Sequence, residues 1–278
     1  MQPVIFYRDV TIREQKGELE AAQKYFHCVS SRMQVHNGDL VIARYSCLPF
    51  YAELAKDLDF KGAFLINSYA QHRYIADLRN WYEDLQEFTP KTWFRLEDIP
   101  KNGGPFFLKG ETNSRKSEWD THAYAKDFTA AGEVYSRLAT DGLIGSQNIY
   151  IRQYMPFRKL MTGICGHLPI TEEYRFFCCY GKLLCGAFYW SNYVDDLKEQ
   201  GGFTGDVNPQ CESLCLKVLR RIGGKANFVV IDVAILENGE PMLVELNDGQ
   251  MSGLSENEPE TLYKSLKMIL DQRLQETA

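Results

Sequence analysis

Hydrophobic and polar positions near the start of the chain alternate between strand-like and helix-like patterns. In "DLVIARYSCLPFYAELAKDLDFKGAFLINS" an apolar run is followed by helical spacing over about residues 49–58 and by a second apolar run over about residues 63–66. Strands joined by a helical crossover run parallel to each other. With an N-terminal apolar segment as a first strand, the pattern predicts a small α/β lobe with a parallel sheet over residues 1–80.

The rest of the chain predicts two further lobes, over residues 81–150 and 151–278, around one shared cleft. An aromatic-rich amphipathic pattern predicts one helix over residues 74–88, which Thr89 and Pro90 would end. Helical spacing predicts other helices over residues 125–139, 209–222 and 259–275. No internal repeat or low-complexity segment interrupts these lobes.

Two hairpins are predicted in the third lobe. The run "NFVVIDVAILENGEPMLVEL" is divided by Asn238 and Gly239, a dipeptide typical of a tight hairpin turn. Side chains two apart on a strand share a face, so Glu245 and Asn247 project together while Leu246 points into the core. The second hairpin, "EEYRFFCCYGKLLCGAFYW", would turn at residues 180–182.

Pairing of the first hairpin places Asp232 beside Glu245 and Asn247. Two carboxylates and one amide form an oxygen-only cluster, which suits Mg²⁺ because that ion takes its other ligands from water and phosphates. Asp232 lies within an almost continuous hydrophobic run, where an unpaired carboxylate would be costly. From the residues alone, a solvated hairpin edge remains an alternative.

Composition limits the classes of function. The chain has 278 residues, of which 45% are hydrophobic and 24% charged, as in ordinary globular proteins, and no apolar run reaches the roughly 18 residues of a membrane span. The net charge of −6 argues against a protein that mainly grips a nucleic-acid backbone. Eight cysteines without a CxxC pair, and an N-terminus unlike a secretory signal, predict buried free thiols and a cytoplasmic location.

Asp232 followed by Glu245-Leu246-Asn247 resembles the metal-binding signature of the ATP-grasp superfamily. The "ELNDGQMSGL" segment is similar to a compact bacterial and phage-borne clade of uncharacterised carboxylate-amine ligase-like proteins in that superfamily. The resemblance implies an α/β (α+β) fold in which two lobes enclose ATP after a small α/β lobe. It also implies that Asp232, Glu245 and Asn247 hold Mg²⁺ against the phosphates of ATP.

Three other segments resemble ATP-grasp elements in the family's order. Lys109 ends an apolar strand and resembles the lysine that contacts nucleotide phosphates. In "NIYIRQYMPF", which is similar to the hinge between the ATP-grasp lobes, Gln153 and Tyr154 would supply polar contacts to adenine. Glu173 and Arg175 resemble the family's acid-x-Arg pair, in which the acid binds ribose hydroxyls and the arginine reaches the terminal phosphate.

Two departures from the family pattern concern the transferred phosphate. The loop after Lys109, which is usually rich in glycine, has hydroxyl, amide and cationic side chains over residues 112–117. On the return strand of the second hairpin, Tyr189 and Trp190 occupy positions where many of these ligases carry arginines. A compensating cation could come from one of four residues: Arg115, Lys116, Lys198 and Lys225.

The resemblance implies an ATP- and Mg²⁺-dependent carboxylate–amine ligase. A carboxylate attacks the γ-phosphate of ATP to give an acyl phosphate and ADP, and an amine then displaces phosphate to form an amide. Arg175 and Lys109 would be catalytic, and the donor and acceptor would be small molecules, peptides or proteins. A kinase or other phosphotransferase on the same fold, and a nucleotide-binding regulatory module without turnover, remain alternatives.

Overall fold

The computed structural model describes residues 2–8, 17–163 and 167–276, and within these ranges it contains three four-stranded sheets and one two-stranded sheet. The elements of the first lobe are β1 (Gln2–Tyr7), α1 (Glu18–Tyr25), β2 (His27–Val29), β3 (Asp39–Arg44), α2 (Tyr51–Phe60), β4 (Phe64–Leu65), α3 (Tyr69–Ala76) and α4 (Leu78–Leu85). Short 3-10 turns occur at Arg32–Gln34, Leu96–Asp98, Lys116–Glu118, Ser191–Tyr193 and Gly223–Lys225, and a π-turn at Trp119–Ala123.

The first sheet has the order β2-β1-β3-β4, and every neighbouring pair in it is parallel. All six residues of β3 are buried, as the continuous apolar run predicts for a strand covered on both faces. The predicted strand, helix and strand over residues 39–66 are therefore confirmed.

The predicted single helix over residues 74–88 is wrong. The chain forms α3 and α4, which meet at Asp77, and the Asp77 carboxylate accepts a hydrogen bond from the Arg79 main-chain N–H at 3.0 Å. The same carboxylate accepts the Tyr150 hydroxyl at 2.7 Å. A capping aspartate begins a new helix, and the amphipathic pattern continued across this break.

The second lobe contains β5 (Thr92–Trp93), β6 (Phe106–Gly110), β7 (Tyr124–Ala125), α5 (Phe128–Ala139) and β8 (Ile149–Gln153). Its antiparallel sheet has the order β5-β8-β6-β7, with α5 packed on it. The helix predicted from residue 125 begins three residues later, because Asp127 caps it by accepting the Ala130 N–H. Tyr124 and Ala125 instead pair with β6.

The third lobe contains β9 (Lys159–Thr162), β10 (Pro169–Thr171), β11 (Glu173–Cys179), β12 (Lys182–Phe188), α6 (Val194–Gln200), α7 (Pro209–Ile222), β13 (Phe228–Ile235), β14 (Pro241–Asp248) and α8 (Pro259–Glu276). The main sheet is antiparallel with the order β12-β11-β13-β14, so both predicted hairpins form. Tyr180 and Gly181 turn the β11–β12 hairpin with φ of 44° and 74°. Successive strand residues enter separate cores, one against α7 and the other against α8 and the first lobe.

A buried polar network joins the first lobe to the loop after β14. Arg44 at the end of β3 donates to Glu18 Oε1 through Nε and Nη2, at 2.9 and 2.6 Å, and to the Gly249 carbonyl at 2.5 Å. Tyr263 on α8 donates its hydroxyl to the same Glu18 oxygen. The loop that follows Asn247 is thus held from the first lobe. No described helix combines the length and apolar character that crossing a bilayer requires.

Candidate functional site

The β13–β14 hairpin brings the three predicted oxygen ligands together. Asp232 lies directly opposite Glu245 in the strand register. The Asn247 side-chain amide donates to Asp232 Oδ2 at 3.0 Å and to Glu245 Oε1 at 3.3 Å. Leu246 is buried in the core, so the predicted alternation of faces along β14 is confirmed. Asp232 is fully buried, which excludes the alternative of a solvated hairpin edge for this residue.

Two cations face these carboxylates. Lys109 at the end of β6 places Nζ 2.8 Å from Glu245 Oε2, across the cleft between the second and third lobes. Arg175 on β11 forms a two-pronged pair with Asp232, with Nε to Oδ1 at 2.9 Å and Nη2 to Oδ2 at 2.8 Å. Buried charges are stable only when paired in this way, so alternating charges hold the site in shape.

The local charges determine which carboxylates are ionised. Burial favours the protonated form of Glu245, but Lys109 and Lys116 outweigh it and hold the pKa of this carboxyl well below its usual range. Burial raises the pKa of Asp232, and Arg175 opposes that shift. At Glu173 burial dominates over the attraction of Lys116 and raises the pKa to about 7. Glu245 is therefore a permanent carboxylate, whereas Glu173 changes charge near neutral pH.

A pocket beside this cluster is lined by the end of β8 and by residues of both lobes, including Lys116, Arg152, Glu173 and Trp190. Three buried polar atoms that lack a hydrogen-bond partner among the described residues belong to this lining: Arg152 Nε, Glu173 Oε1 and Trp190 Nε1. Such atoms are rare and costly in a folded protein. A donor pair and an acceptor aimed into one pocket indicate a polar ligand.

The predicted hinge residues line the same pocket. Gln153, Tyr154 and Met155 follow the last turn of β8 into it, together with Pro90 and Phe107. The main-chain N–H groups of Gln153 and Tyr154 donate to the carbonyls of Lys91 and Pro105. The two residues can therefore contact a ligand through side chains or carbonyl oxygens. The Tyr154 ring is fixed edge-on against Tyr124 at 5.2 Å.

The structure distinguishes among the four candidate compensating cations. Arg115 is bound to Asp141, Lys225 is paired with Asp84, and Lys198 lies exposed on α6. Lys116 reaches the cleft, with Nζ 5.1 Å from the Tyr189 ring centroid and 5.3 Å from that of Trp190.

Arg152 is a site residue that sequence reasoning missed. The sequence suggests a solvated basic patch with Arg158 and Lys159, but Arg152 is buried on β8, donating to the Val244 carbonyl at 2.7 Å and to Thr89 Oγ1 at 2.6 Å. Burial lowers its pKa to about 10. The signal that could have found it is the central position of β8, whose two faces are both covered.

A second, open cleft of about 630 Å³ adjoins the pocket at Trp190. Arg175, Tyr189, Tyr193 and the loop after β14, including Gly253, form its walls. The Arg175 guanidinium donates to the Gly253 carbonyl at 3.0 Å, which fixes this loop against the ion pair with Asp232. The cleft therefore lies on the other side of Arg175 from the pocket.

The residues present fit a magnesium ion. Within the described ranges there is no group of three or more histidine, cysteine, aspartate and glutamate side chains suited to a metal. Asp232, Glu245 and Asn247 supply two carboxylates and an amide, and Mg²⁺ needs only one or two protein carboxylates when phosphates and water complete its shell. The donor set matches a metal bound together with a nucleotide, rather than a metal held by protein ligands alone.

Two antiparallel sheets that enclose a cleft, one carrying buried facing carboxylates and the other a buried lysine, define an ATP-grasp fold. Residues 98–266, more than half of the chain, match the model of an ATP-grasp domain family, the one described as family 3 of its clade. The chain belongs to this ATP-grasp family. No curated protein matches the sequence.

Solved structures share the fold at low sequence identity. A RimK domain ATP-grasp protein from Sphaerobacter thermophilus has a TM-score of 0.60 at 17% identity, covering 96% of this chain and 98% of that one. D-cycloserine synthetase DcsG has a TM-score of 0.60 at 12% identity, covering 96% and 99%. D-alanine–D-alanine ligase from Bacillus anthracis, solved with ATP, has a TM-score of 0.59 at 12% identity, covering 100% and 99%. The predicted ATP-grasp α+β fold is confirmed.

Proposed function

We propose that this protein is an ATP- and Mg²⁺-dependent carboxylate–amine ligase. The observation that carries the proposal is the set of three unpartnered buried polar atoms in a pocket that adjoins the paired carboxylates of β13 and β14. A nucleotide has the base, the hydroxyls and the phosphates that such a sequence of apolar, polar and charged surfaces would bind.

In this proposal the nucleotide lies along the cleft from the hinge to the hairpin. The base sits against Tyr154 and Met155, and the ribose hydroxyls donate to Glu173 Oε1, which lacks another partner among the described residues. Lys109 and Arg175 then face the phosphates. Both are buried, so their charges act in a medium of low dielectric constant, where they attract phosphate strongly.

Asp232, Glu245 and Asn247 would hold Mg²⁺ at the phosphates. When bound, the ion withdraws negative charge from the phosphoryl group that is transferred. The ion pairs of these carboxylates with Lys109 and Arg175 keep both partners charged and ordered. Phosphate and metal would bind between them, each matching a charge already present, so little reorganisation of the site is needed.

The chemistry needs position and charge rather than a protein nucleophile. A carboxylate oxygen of the donor attacks the γ-phosphorus, and the bond to the oxygen that bridges the β- and γ-phosphorus breaks, releasing ADP. An amine then attacks the acyl carbon and phosphate leaves. Lys109 and Arg175 neutralise the transferred charge in the first step.

The open cleft beside Arg175 is the proposed site of donor and acceptor. It adjoins the nucleotide pocket at Trp190, so a group bound there would lie near the end of the phosphate chain. The titles of the similar structures support this class of reaction, since they name a D-cycloserine synthetase, a D-alanine–D-alanine ligase and an ATP-grasp ligase with a precursor peptide. Those substrates belong to those proteins, and the fold likeness supports only the class of reaction.

The test is the product formed from MgATP and a whole metabolite extract, with a desalted extract as control. The proposal expects ADP and phosphate from the natural protein with whole extract, and none from Glu245→Ala. A purified donor labelled with ¹⁸O in its carboxylate should then transfer one label to phosphate, which a kinase reaction would not do. Full ADP formation by Glu245→Ala would contradict the proposed metal site.

One observation favours a nucleotide-binding module without turnover as the second candidate. Tyr189 and Trp190 stand on the return strand where a cation would face the transferred phosphate. Such a module would bind MgATP and release no ADP with any extract fraction.

A further inference from the structure

Lys116 approaches the cleft from the covering loop. It begins the short turn Lys116–Glu118, and its ammonium lies over two aromatic rings of the return strand, 5.1 Å from the Tyr189 centroid and 5.3 Å from the Trp190 centroid. Aromatic faces attract a cation without neutralising it. The rings at the positions of the absent arginines thus hold a lysine from the opposite lobe.

The position of this ammonium relative to the phosphate-binding groups is defined by shared neighbours. The Arg175 guanidinium carbon lies 4.8 Å from the same Tyr189 ring. Lys116 also lines the nucleotide pocket with Glu173. Burial disfavours its charge, but Tyr189 and the carboxylate of Glu173 outweigh burial and raise the pKa of Lys116 well above its ordinary value. Lys116 is a cation at every physiological pH.

The loop that carries Lys116 is anchored on both sides of its turn. Arg115 binds both carboxylate oxygens of Asp141, which also accepts the Leu143 and Ile144 N–H groups after α5. Earlier in the loop, the Thr112 N–H donates to Gln147 Oε1 at 3.0 Å. Glycine is therefore unnecessary for the loop to lie over the cleft, because side-chain bonds hold it there.

Three cations meet at the cleft in the described part of the chain, and their partners differ. Lys109 pairs with Glu245 and Arg175 pairs with Asp232, so each is matched to a proposed metal ligand. Lys116 rests on aromatic rings and faces the pocket. Its charge is the one that an anionic ligand can bind without displacing a carboxylate.

We propose that Lys116 contacts the γ-phosphate of ATP and supplies, from the covering loop, the cation that the return strand lacks at Tyr189 and Trp190. This inference rests on the proposed function. As the donor oxygen bonds to the γ-phosphorus and the bridging oxygen leaves with its electron pair on ADP, Lys116 stays protonated and no proton moves. Its charge follows the three oxygens of the transferred group.

The test compares two nucleotides that differ in the γ-phosphate. Calorimetric titrations with MgAMPPNP and MgADP should show that Lys116→Met lowers MgAMPPNP affinity about tenfold to a hundredfold, as expected for one charge-assisted contact. MgADP affinity should stay within about twofold. Lys116→Arg should retain most of the preference for the triphosphate. Lys101→Met, an exposed lysine in the same lobe, is the matched control and should change neither affinity.

The outcomes separate this inference from the proposed function. An equal fall in both affinities would show that Lys116 only supports the loop, and unchanged affinities would show that it makes no phosphate contact; either overturns the inference while ATP binding stands. Failure of the natural protein to bind either nucleotide would overturn the proposed function and this inference with it. If ADP formation is detected, Lys116→Met should abolish it while MgADP still binds.

Discussion

The Glu173 carboxyl lies at the start of β11, almost completely buried, with one oxygen unpartnered among the described residues. Its surroundings place Lys116 and Arg175 on the favourable side and Asp232 and Glu245 on the unfavourable side. Burial decides the balance, and the site therefore contains an acid that titrates near pH 7. A group of this kind links nucleotide binding and stability to pH.

Replacing Glu173 by glutamine should remove a pH dependence of stability. Burial raises the pKa of Glu173 from 4.5 to about 7, so the folded state binds a proton that the unfolded state has lost in this range. The contribution is fully present below pH 4.5 and is lost as pH rises through about 7. Relative to Glu173→Gln, the natural protein should lose about 3 kcal/mol of unfolding free energy between pH 4 and pH 8. Urea unfolding measures this, and parallel pH profiles would contradict it.

Single residues show why parts of the site could be predicted from sequence and others could not. Asp232, Glu245 and Asn247 could be placed together because strand alternation and the Asn238-Gly239 turn fix the register locally. The ion pair of Lys109 with Glu245 joins residues 136 positions apart, and no local pattern specifies it. Arg152 was read as solvated because its burial depends on which strands flank β8.

At the scale of elements, the β11–β12 hairpin contains a position where only glycine fits. Gly186 lies directly across from Phe176, and a β-carbon at Gly186 would approach the buried Phe176 ring to 2.3 Å. Gly186→Ala should therefore destabilise the protein by about 1–3 kcal/mol through overpacking. The site-bearing strand β11 would shift with the ring.

Gly132→Ala is the matched control for this prediction. Gly132 lies in α5, where an added β-carbon meets nothing within 4 Å. The substitution should stabilise the protein by up to about 1 kcal/mol, because alanine favours the helix. Thermal unfolding of both variants tests the pair, and equal melting temperatures would show that Phe176 moves aside without cost.

Element boundaries depended on capping residues more than on hydrophobic spacing. The spacing predicted α7 and the start of α8 closely, where Pro209 and Pro259 each occupy the first helical position. It failed at residues 74–88 and at residue 125, where Asp77 and Asp127 cap the following helix. A capping side chain competes locally with the pattern, and periodicity alone does not record it.

At the scale of the whole molecule, the loop that borders the open cleft depends on the first lobe. Arg44 binds Glu18 and the Gly249 carbonyl within a buried network, and Arg44→Met would leave the Glu18 carboxylate buried without its cation. The expected cost is about 3–5 kcal/mol in urea unfolding. Glu18→Gln combined with Arg44→Met should recover part of that loss.

An exposed ion pair between the same parts of the chain provides the comparison. Lys24 on α1 pairs with Glu260 on α8 at the surface. Lys24→Ala should leave the unfolding midpoint unchanged within error, because exposed pairs contribute little. If Arg44→Met were equally silent, the buried network would not hold the first lobe to the cleft.

The arrangement of lobes could be predicted only in outline. Strand and helix order indicated a parallel sheet followed by two antiparallel lobes, and the parallel order β2-β1-β3-β4 agrees with it. The lobe boundaries remain a prediction, and β8 crosses the expected division at residue 150 while staying paired with β6. Contacts between lobes, such as those of Arg44, join residues more than 200 positions apart and have no local signature.

The central claim is that the nucleotide binds with a metal at Asp232, Glu245 and Asn247. The most direct measurement is calorimetric titration of AMPPNP with Mg²⁺ and with EDTA, for the natural protein, Glu245→Gln and the exposed turn control Glu240→Gln. The account predicts that Mg²⁺ strengthens binding at least about tenfold for the natural protein and Glu240→Gln, and that Glu245→Gln loses this gain. Equal Mg²⁺ dependence in all three proteins would contradict it.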